Sequence, residues 1–117
     1  MDPHFDGVIF RTHAEELQRR IAFDFPPFAV LDVRPVASFR AGTVPGALSA
    51  TLESLESLPD GVTEETEVIV LGEGPTDPTI RAASEKLREL GVHRVVELPG
   101  GLHEWLQAGF ELQAPDS

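Results

Sequence analysis

Apolar residues along this chain follow two rhythms. Val8-Ile9-Phe10, Ala29-Val30-Leu31, Val68-Ile69-Val70-Leu71 and Val95-Val96 are short unbroken runs. Between them, apolar positions recur every three or four residues. The runs read as strands covered on both faces, as in a parallel sheet flanked by helices. The spaced stretches read as helices. Leu17 and Ile21 line the first, Ile80, Ala83, Leu87 and Leu90 the central one, and Leu102, Trp105 and Leu106 the last. Strand and helix alternate throughout, so the predicted fold class is α/β, with a central parallel sheet and right-handed crossovers.

Turn and cap residues place the boundaries. Thr12-His13-Ala14-Glu15 has the form of a capping box for a first helix running to about Ala22. On its outer face Glu15/Arg19 and Glu16/Arg20 have i,i+4 spacing. Pro26-Pro27 forces a turn over 23–28. The second strand ends in Asp32-Val33-Arg34, and Pro35 can begin a short helix with Val36 and Phe39 inward and Gly42 after it. Val44-Pro45-Gly46 is a turn, and 47–50 suits another short strand. Thr51 can cap a helix striped by Leu52, Leu55 and Leu58, which Pro59-Asp60-Gly61 breaks. Residues 63–67 form an acidic approach to the central strand. Strand 92–98 turns through Pro99-Gly100-Gly101 into helix 102–108. Residues 110–112 should lie back on the body, and 114–117 should fray.

The central unit is strand, loop and helix. After Leu71 the loop reads Gly72-Glu73-Gly74-Pro75-Thr76-Asp77-Pro78-Thr79. In open α/β proteins a site lies beyond the carboxyl ends of the strands, here near Asp32, Gly72 and Pro99. Proline at the first helical position makes Asp77 the N-cap, its carboxylate on the free N–H groups of the first turn. Those donors would otherwise hold an anion. Asp77 is therefore expected to be an internal anion that plugs the loop.

The chain has 117 residues, 41% of them hydrophobic and 25% charged, which suits one globular domain. The net charge of −11 disfavours nucleic acid and anionic membrane, leaves small anions as weak ligands, and admits a basic protein partner. No apolar run is long enough to span a membrane and no secretory pattern opens the chain, so cytoplasm is the expected location. There is no cysteine, hence no thiol nucleophile and no thiolate metal site. His4, His13, His93 and His103 lack ligand spacing, so neither metal nor cofactor is expected.

Four stretches resemble the rhodanese family: Val30-Leu31-Asp32-Val33-Arg34, Ala41 to Ala47 with Thr43 where histidine is usual, Ala82 to Gly91, and Gly100 to Trp105 followed by Ala108-Gly109. The resemblance spans about residues 8–112. It implies a five-stranded parallel sheet and, in active members, a cysteine after the central strand that carries sulfur as a persulfide. Counting from Leu71 puts Gly72 at that position, whereas counting back from Gly91 puts Gly74 there. Neither carries sulfur. Thr76 and Thr79 are poor substitutes, since no histidine adjoins them in sequence.

The expected function is thus a non-catalytic domain that binds another protein through the loop face. The alternative is an enzyme that uses the cysteine-free loop through Glu73, Asp77 or His103. A decayed, purely structural domain is the third reading. Asp32 and Arg34 are expected to fix local structure, Asp32 accepting backbone N–H groups and Arg34 pairing with a carboxylate. Arg81 is taken as the basic side chain near the loop. Trp105 is a core anchor, and Glu53, Glu56, Asp60, Glu64, Glu65 and Glu67 form a solvated face.

Overall fold

A computed structural model describes residues 9–23 and 27–115. Val8 of the first predicted strand, His4, residues 24–26 of the predicted turn and residues 116–117 of the tail lie outside the described residues. Five strands, β1 (Phe10–Arg11), β2 (Phe28–Asp32), β3 (Leu48–Ser49), β4 (Glu67–Leu71) and β5 (Arg94–Leu98), pair in parallel in the order β1-β5-β4-β2-β3. Helices α1 (Ala14–Phe23), α2 (Val36–Ala41), α3 (Pro78–Glu89) and α4 (Gly101–Gln107) connect or follow them, with a 3₁₀ turn at Leu52–Ser54. The α/β class and the five-stranded parallel sheet are as expected.

Side chains alternate across a strand, so an unbroken apolar run must feed two cores. Val68 and Val70 of β4 point to one face, with Leu31, Val95, Ile80, Ala83 and Leu87. Ile69 and Leu71 point to the other, with Val30, Val96, Leu98, Leu17 and Trp105. Trp105 is a core anchor: it is 1% exposed, and its indole N–H donates to the Glu111 carbonyl at 2.9 Å. Phe110 packs on the Trp105 ring, and Gln113 forms an antiparallel bridge with Thr43, so the tail does lie back on the body.

Several local expectations give way to tertiary partners. The first helix begins at Ala14, and the Ala14 N–H donates to the Glu104 carboxylate of α4 at 2.7 Å. A residue 90 positions away thus serves the helix start that the capping box was expected to serve. Arg19 pairs with Glu16 at i,i+3, and Arg20 reaches Glu67 at 2.9 Å. Glu67 also holds Arg94 at 3.0 Å, so it opens β4 as a paired residue and is not part of a solvated face. Val36 and Leu52 are exposed, because α2 and the 3₁₀ turn are too short to bury a full stripe. Among the described residues no helix is long and apolar enough to cross a membrane.

Candidate functional site

The site is built where β2 and β4 end side by side. Asp32, the last residue of β2, pairs in register with Leu71, the last of β4. The ladder runs one step further, the Val33 N–H donating to the Leu71 carbonyl at 2.9 Å. Two turns therefore leave the sheet at the same level.

In the first turn Asp32 is fully buried. Its carboxylate accepts the Arg34 backbone N–H at 3.0 Å, the Arg34 guanidinium through Nη2 at 2.7 Å and Nε at 3.0 Å, and the Thr43 hydroxyl at 2.7 Å. Arg34 Nη2 also donates to the Gly42 carbonyl at 2.6 Å. The two charges cancel each other out of water, and these bonds are local to this turn and its neighbours. Arg34 Nη1 lies 3.8 Å from Glu73 Oε1. Arg34, not only Arg81, is thus a basic group beside the loop.

The second turn is the loop after β4. Asp77 is the N-cap of α3 and Pro78 its first residue. The carboxylate turns inward. Oδ1 accepts the Thr79 N–H at 2.9 Å and Oδ2 accepts the Glu73 N–H at 3.0 Å. Burial, the largest influence on Asp77, opposes its ionisation. The Glu73 and Thr79 backbone donors, with the Thr79 side chain, together outweigh it and hold the carboxyl below its ordinary value. The Asp77 N–H closes the turn onto the Gly74 carbonyl at 3.1 Å.

Helix α4 clamps the loop from the other side. Its Leu102 N–H donates to the Gly72 carbonyl at 2.8 Å and its His103 N–H to the Glu73 carbonyl at 2.9 Å. The approach is so close that a Cβ on Gly101, at φ +58°, would stand 2.6 Å from the Gly72 carbonyl oxygen. The Gly100-Gly101 pair is the part of the site that a search for reactive side chains overlooks; the signal for it was the double glycine itself.

A cavity of about 600 Å³ opens between the two turns, lined by Arg34, Pro35, Glu73, Gly74, Thr76, Asp77, Thr79 and His103 among others. Arg81 lies elsewhere. It pairs with Glu97 of β5 at 2.7 Å and lines a second cavity on the far side of the loop. Gly72, Pro75 and Pro78 shape the loop; Pro75 also borders the second cavity. Gly72 and Gly74 differ in the room they leave. A Cβ at Gly72 would stand 2.6 Å from Asp77 Oδ2 and 2.6 Å from Ile80, whereas one at Gly74 would make ordinary contact with His103 at 3.5 Å. Among the described residues no three His, Asp or Glu side chains gather as metal ligands do.

The arrangement brings two carboxylates, one histidine and a neutralised arginine to one cavity, with no cysteine anywhere in the chain. The rhodanese-like domain family matches residues 13–108. Among solved structures, the Alr3790 protein from Anabaena is 28% identical, with a TM-score of 0.79 over 88% of this chain and 82% of that one. A rhodanese-like domain protein from Staphylococcus aureus shares the fold at 19% identity and a TM-score of 0.74, over 92% of this chain and 99% of that one. SseA from Escherichia coli, whose structure is described for the rhodanese fold and mechanism of 3-mercaptopyruvate sulfotransferases, shares the fold at 24% identity. Its TM-score is 0.78, over 94% of this chain and 53% of that one. No curated protein sequence matches. The chain belongs to the rhodanese-like domain family, without the cysteine of its sulfur-transferring members.

Proposed function

We propose that this rhodanese-like domain does not transfer sulfur and works as a protein-binding or regulatory module, with the face around Glu73, Gly74 and His103 as its contact surface. One observation carries the reading. Two backbone donors of the loop, Glu73 N–H and Thr79 N–H, are occupied by the chain's own Asp77. A sulfur-transfer loop needs such donors free for the persulfide and its anionic donor substrate. Asp77 also fills the space above Gly72, so a side chain there would collide with it.

The test has two arms. Purified protein given thiosulfate and cyanide should form thiocyanate no faster than buffer. A rate that vanishes in Asp77→Ala would reinstate an enzyme that works through the cysteine-free loop. In the second arm, protein from the native host is captured on the wild-type domain and on Glu73→Lys. Glu73 is exposed but lies 3.8 Å from Arg34, so an unchanged thermal unfolding curve for Glu73→Lys is the control, and a partner of the loop face should be retained by the first and lost by the second. Retention indifferent to Glu73→Lys would remove the loop face from the proposal.

A further inference from the structure

The charges around the first cavity do not balance. Arg34 is the one arginine or lysine among its lining residues. Three carboxylates stand about it: Asp32 at 2.7 Å, Glu73 at 3.8 Å, and Asp77, which lines the same cavity. Arg81, at the start of α3, is drawn off to Glu97. On α4, Glu104 is held by the Ala14 N–H. With His103 counted as neutral, one positive charge faces three negative ones, which leaves two negative charges over.

The three carboxylates are not equally free. Asp32 is spent on Arg34 and the Thr43 hydroxyl, and Asp77 on the Glu73 and Thr79 N–H groups. Glu73 is unspent. Its side chain is 60% exposed, and Oε1 has only the 3.8 Å contact with Arg34, too long for a hydrogen bond. Oε2 has no partner among the described residues. The Thr76 hydroxyl, a further acceptor in this cavity, makes no hydrogen bond with a described residue either. Pro35 and Pro75, both exposed, line the same cavity, so apolar surface lies beside the free carboxylate.

We infer that this cavity receives a lysine side chain from a basic segment of a partner protein, its ammonium on Glu73 and its methylene stem along Pro35 and Pro75. The inference rests on the reading of the loop face as a protein contact surface. A lysine is apolar along its stem and charged at its tip, and the cavity offers apolar walls and a free carboxylate in that relation. Arginine fits less well. Its fork seeks both oxygens of a carboxylate, and Oε1 already faces Arg34, whereas an ammonium needs only one oxygen. An anion would meet the surplus negative charge. The net charge of −11 draws a basic segment towards the chain, and the cavity selects where it docks.

The experiment is a nitrogen-15 NMR titration of the full chain with a capped tetralysine peptide at fixed ionic strength, beside the same peptide acetylated on every side chain. Saturable shifts are expected at the amides of Glu73, Gly74, Thr76 and His103 with the first peptide and not with the second. Glu73→Gln keeps the shape and removes the charge. It should weaken binding by about fivefold, the upper worth of an exposed ion pair, with an unchanged thermal unfolding curve as the control. Shifts spread over acidic residues away from the loop overturn the inference. So does binding that Glu73→Gln leaves unchanged, or an equal response to the acetylated peptide. Capture from the native host separates the inference from the reading beneath it. A host protein lost on Glu73→Lys but kept on Glu73→Gln overturns the lysine and leaves the loop face as the contact surface. One indifferent to both substitutions removes the loop face as well.

Discussion

Asp32 and Asp77 do the same job at two neighbouring turns, under different conditions. Each carboxylate accepts backbone N–H groups and so fixes the chain as it leaves the sheet. Asp32 is fully buried and also neutralises a guanidinium whose side chain is 4% exposed. Asp77 is half-buried, faces no cation within salt-bridge distance among the described residues, and is held by N–H dipoles of the loop and the first turn together with the Thr79 side chain. The difference teaches where this family member keeps its fold and where it has altered its site. The first turn carries a buried ion pair that the sheet edge depends on. The second carries a carboxylate on the Glu73 and Thr79 N–H groups, which in the proposed reading takes the place of an external anion.

The comparison breaks most sharply at Asp32. Asp32→Ala leaves Arg34 charged and buried without its partner, and removes the acceptor of the Thr43 hydroxyl. Breaking a buried pair from one side costs about 3–5 kcal/mol. Urea unfolding should show that loss, and Asp32→Ala with Arg34→Met should recover part of it. A loss below about 1 kcal/mol would mean that Arg34 finds water or Glu73 instead, and that the two turns are not different in kind.

What the sequence disclosed about this edge follows the range of each interaction. Asp77-Pro78 could be read because capping is settled within three residues. Asp32-Val33-Arg34 could be read because the carboxylate binds the N–H two positions on. Trp105 could be read from helical spacing. The partners of Ala14, Arg20 and Arg81 could not. Glu104, Glu67 and Glu97 reach them across 90, 47 and 16 residues. The packing of helices on one another and on the sheet decides these pairs, while strand register sets Glu67 opposite Arg94 and Glu97 opposite Arg11. Local charge spacing therefore proposed i,i+4 partners where the fold supplied better, more buried ones. The two candidate glycines could not be ranked either, because the atom that separates them is Asp77 Oδ2, folded back over Gly72.

That ranking gives the next effect in size. Gly72→Ala forces a methyl to 2.6 Å from both Asp77 Oδ2 and Ile80. Ile80 is 5% exposed and packed in the core, so it has little room to retreat. Overpacking of this kind costs about 1–3 kcal/mol. Gly74→Ala meets only ordinary contacts and a backbone outside the left-handed region, so it should be neutral or stabilising by up to about 1 kcal/mol. Thermal unfolding of the two variants side by side checks this; equal losses would show that the loop, not Asp77, limits the space.

The smallest effect is the most informative about Asp77. Asp77→Ala should cost about 1 kcal/mol at neutral pH, the ordinary worth of an N-cap, and should speed hydrogen exchange at the Glu73 and Thr79 amides. The pH dependence then separates a charged cap from a merely polar one. Because the folded chain holds the Asp77 carboxyl below its ordinary value, the unfolded chain takes up that proton first as pH falls. Its contribution is complete above the unfolded value and is lost as pH drops through the folded one, a window below about pH 4. Glu67 and Glu97 also sit low; in each case burial, the largest influence, is outweighed by partners, Arg20 and Arg94 for Glu67 and Arg81, Ser84 and Arg11 for Glu97. Wild type and variant will both lose stability in acid on their account. The difference between the two curves removes that shared part. It should be constant from neutral pH down to about pH 4 and narrow below it. Asp77→Asn keeps an acceptor oxygen without the charge, so its gap from wild type should be smaller than that of Asp77→Ala at neutral pH, and should close or change sign in acid. A gap independent of pH would show that Asp77 holds the loop by shape alone, and that no anion of the chain's own occupies the cradle.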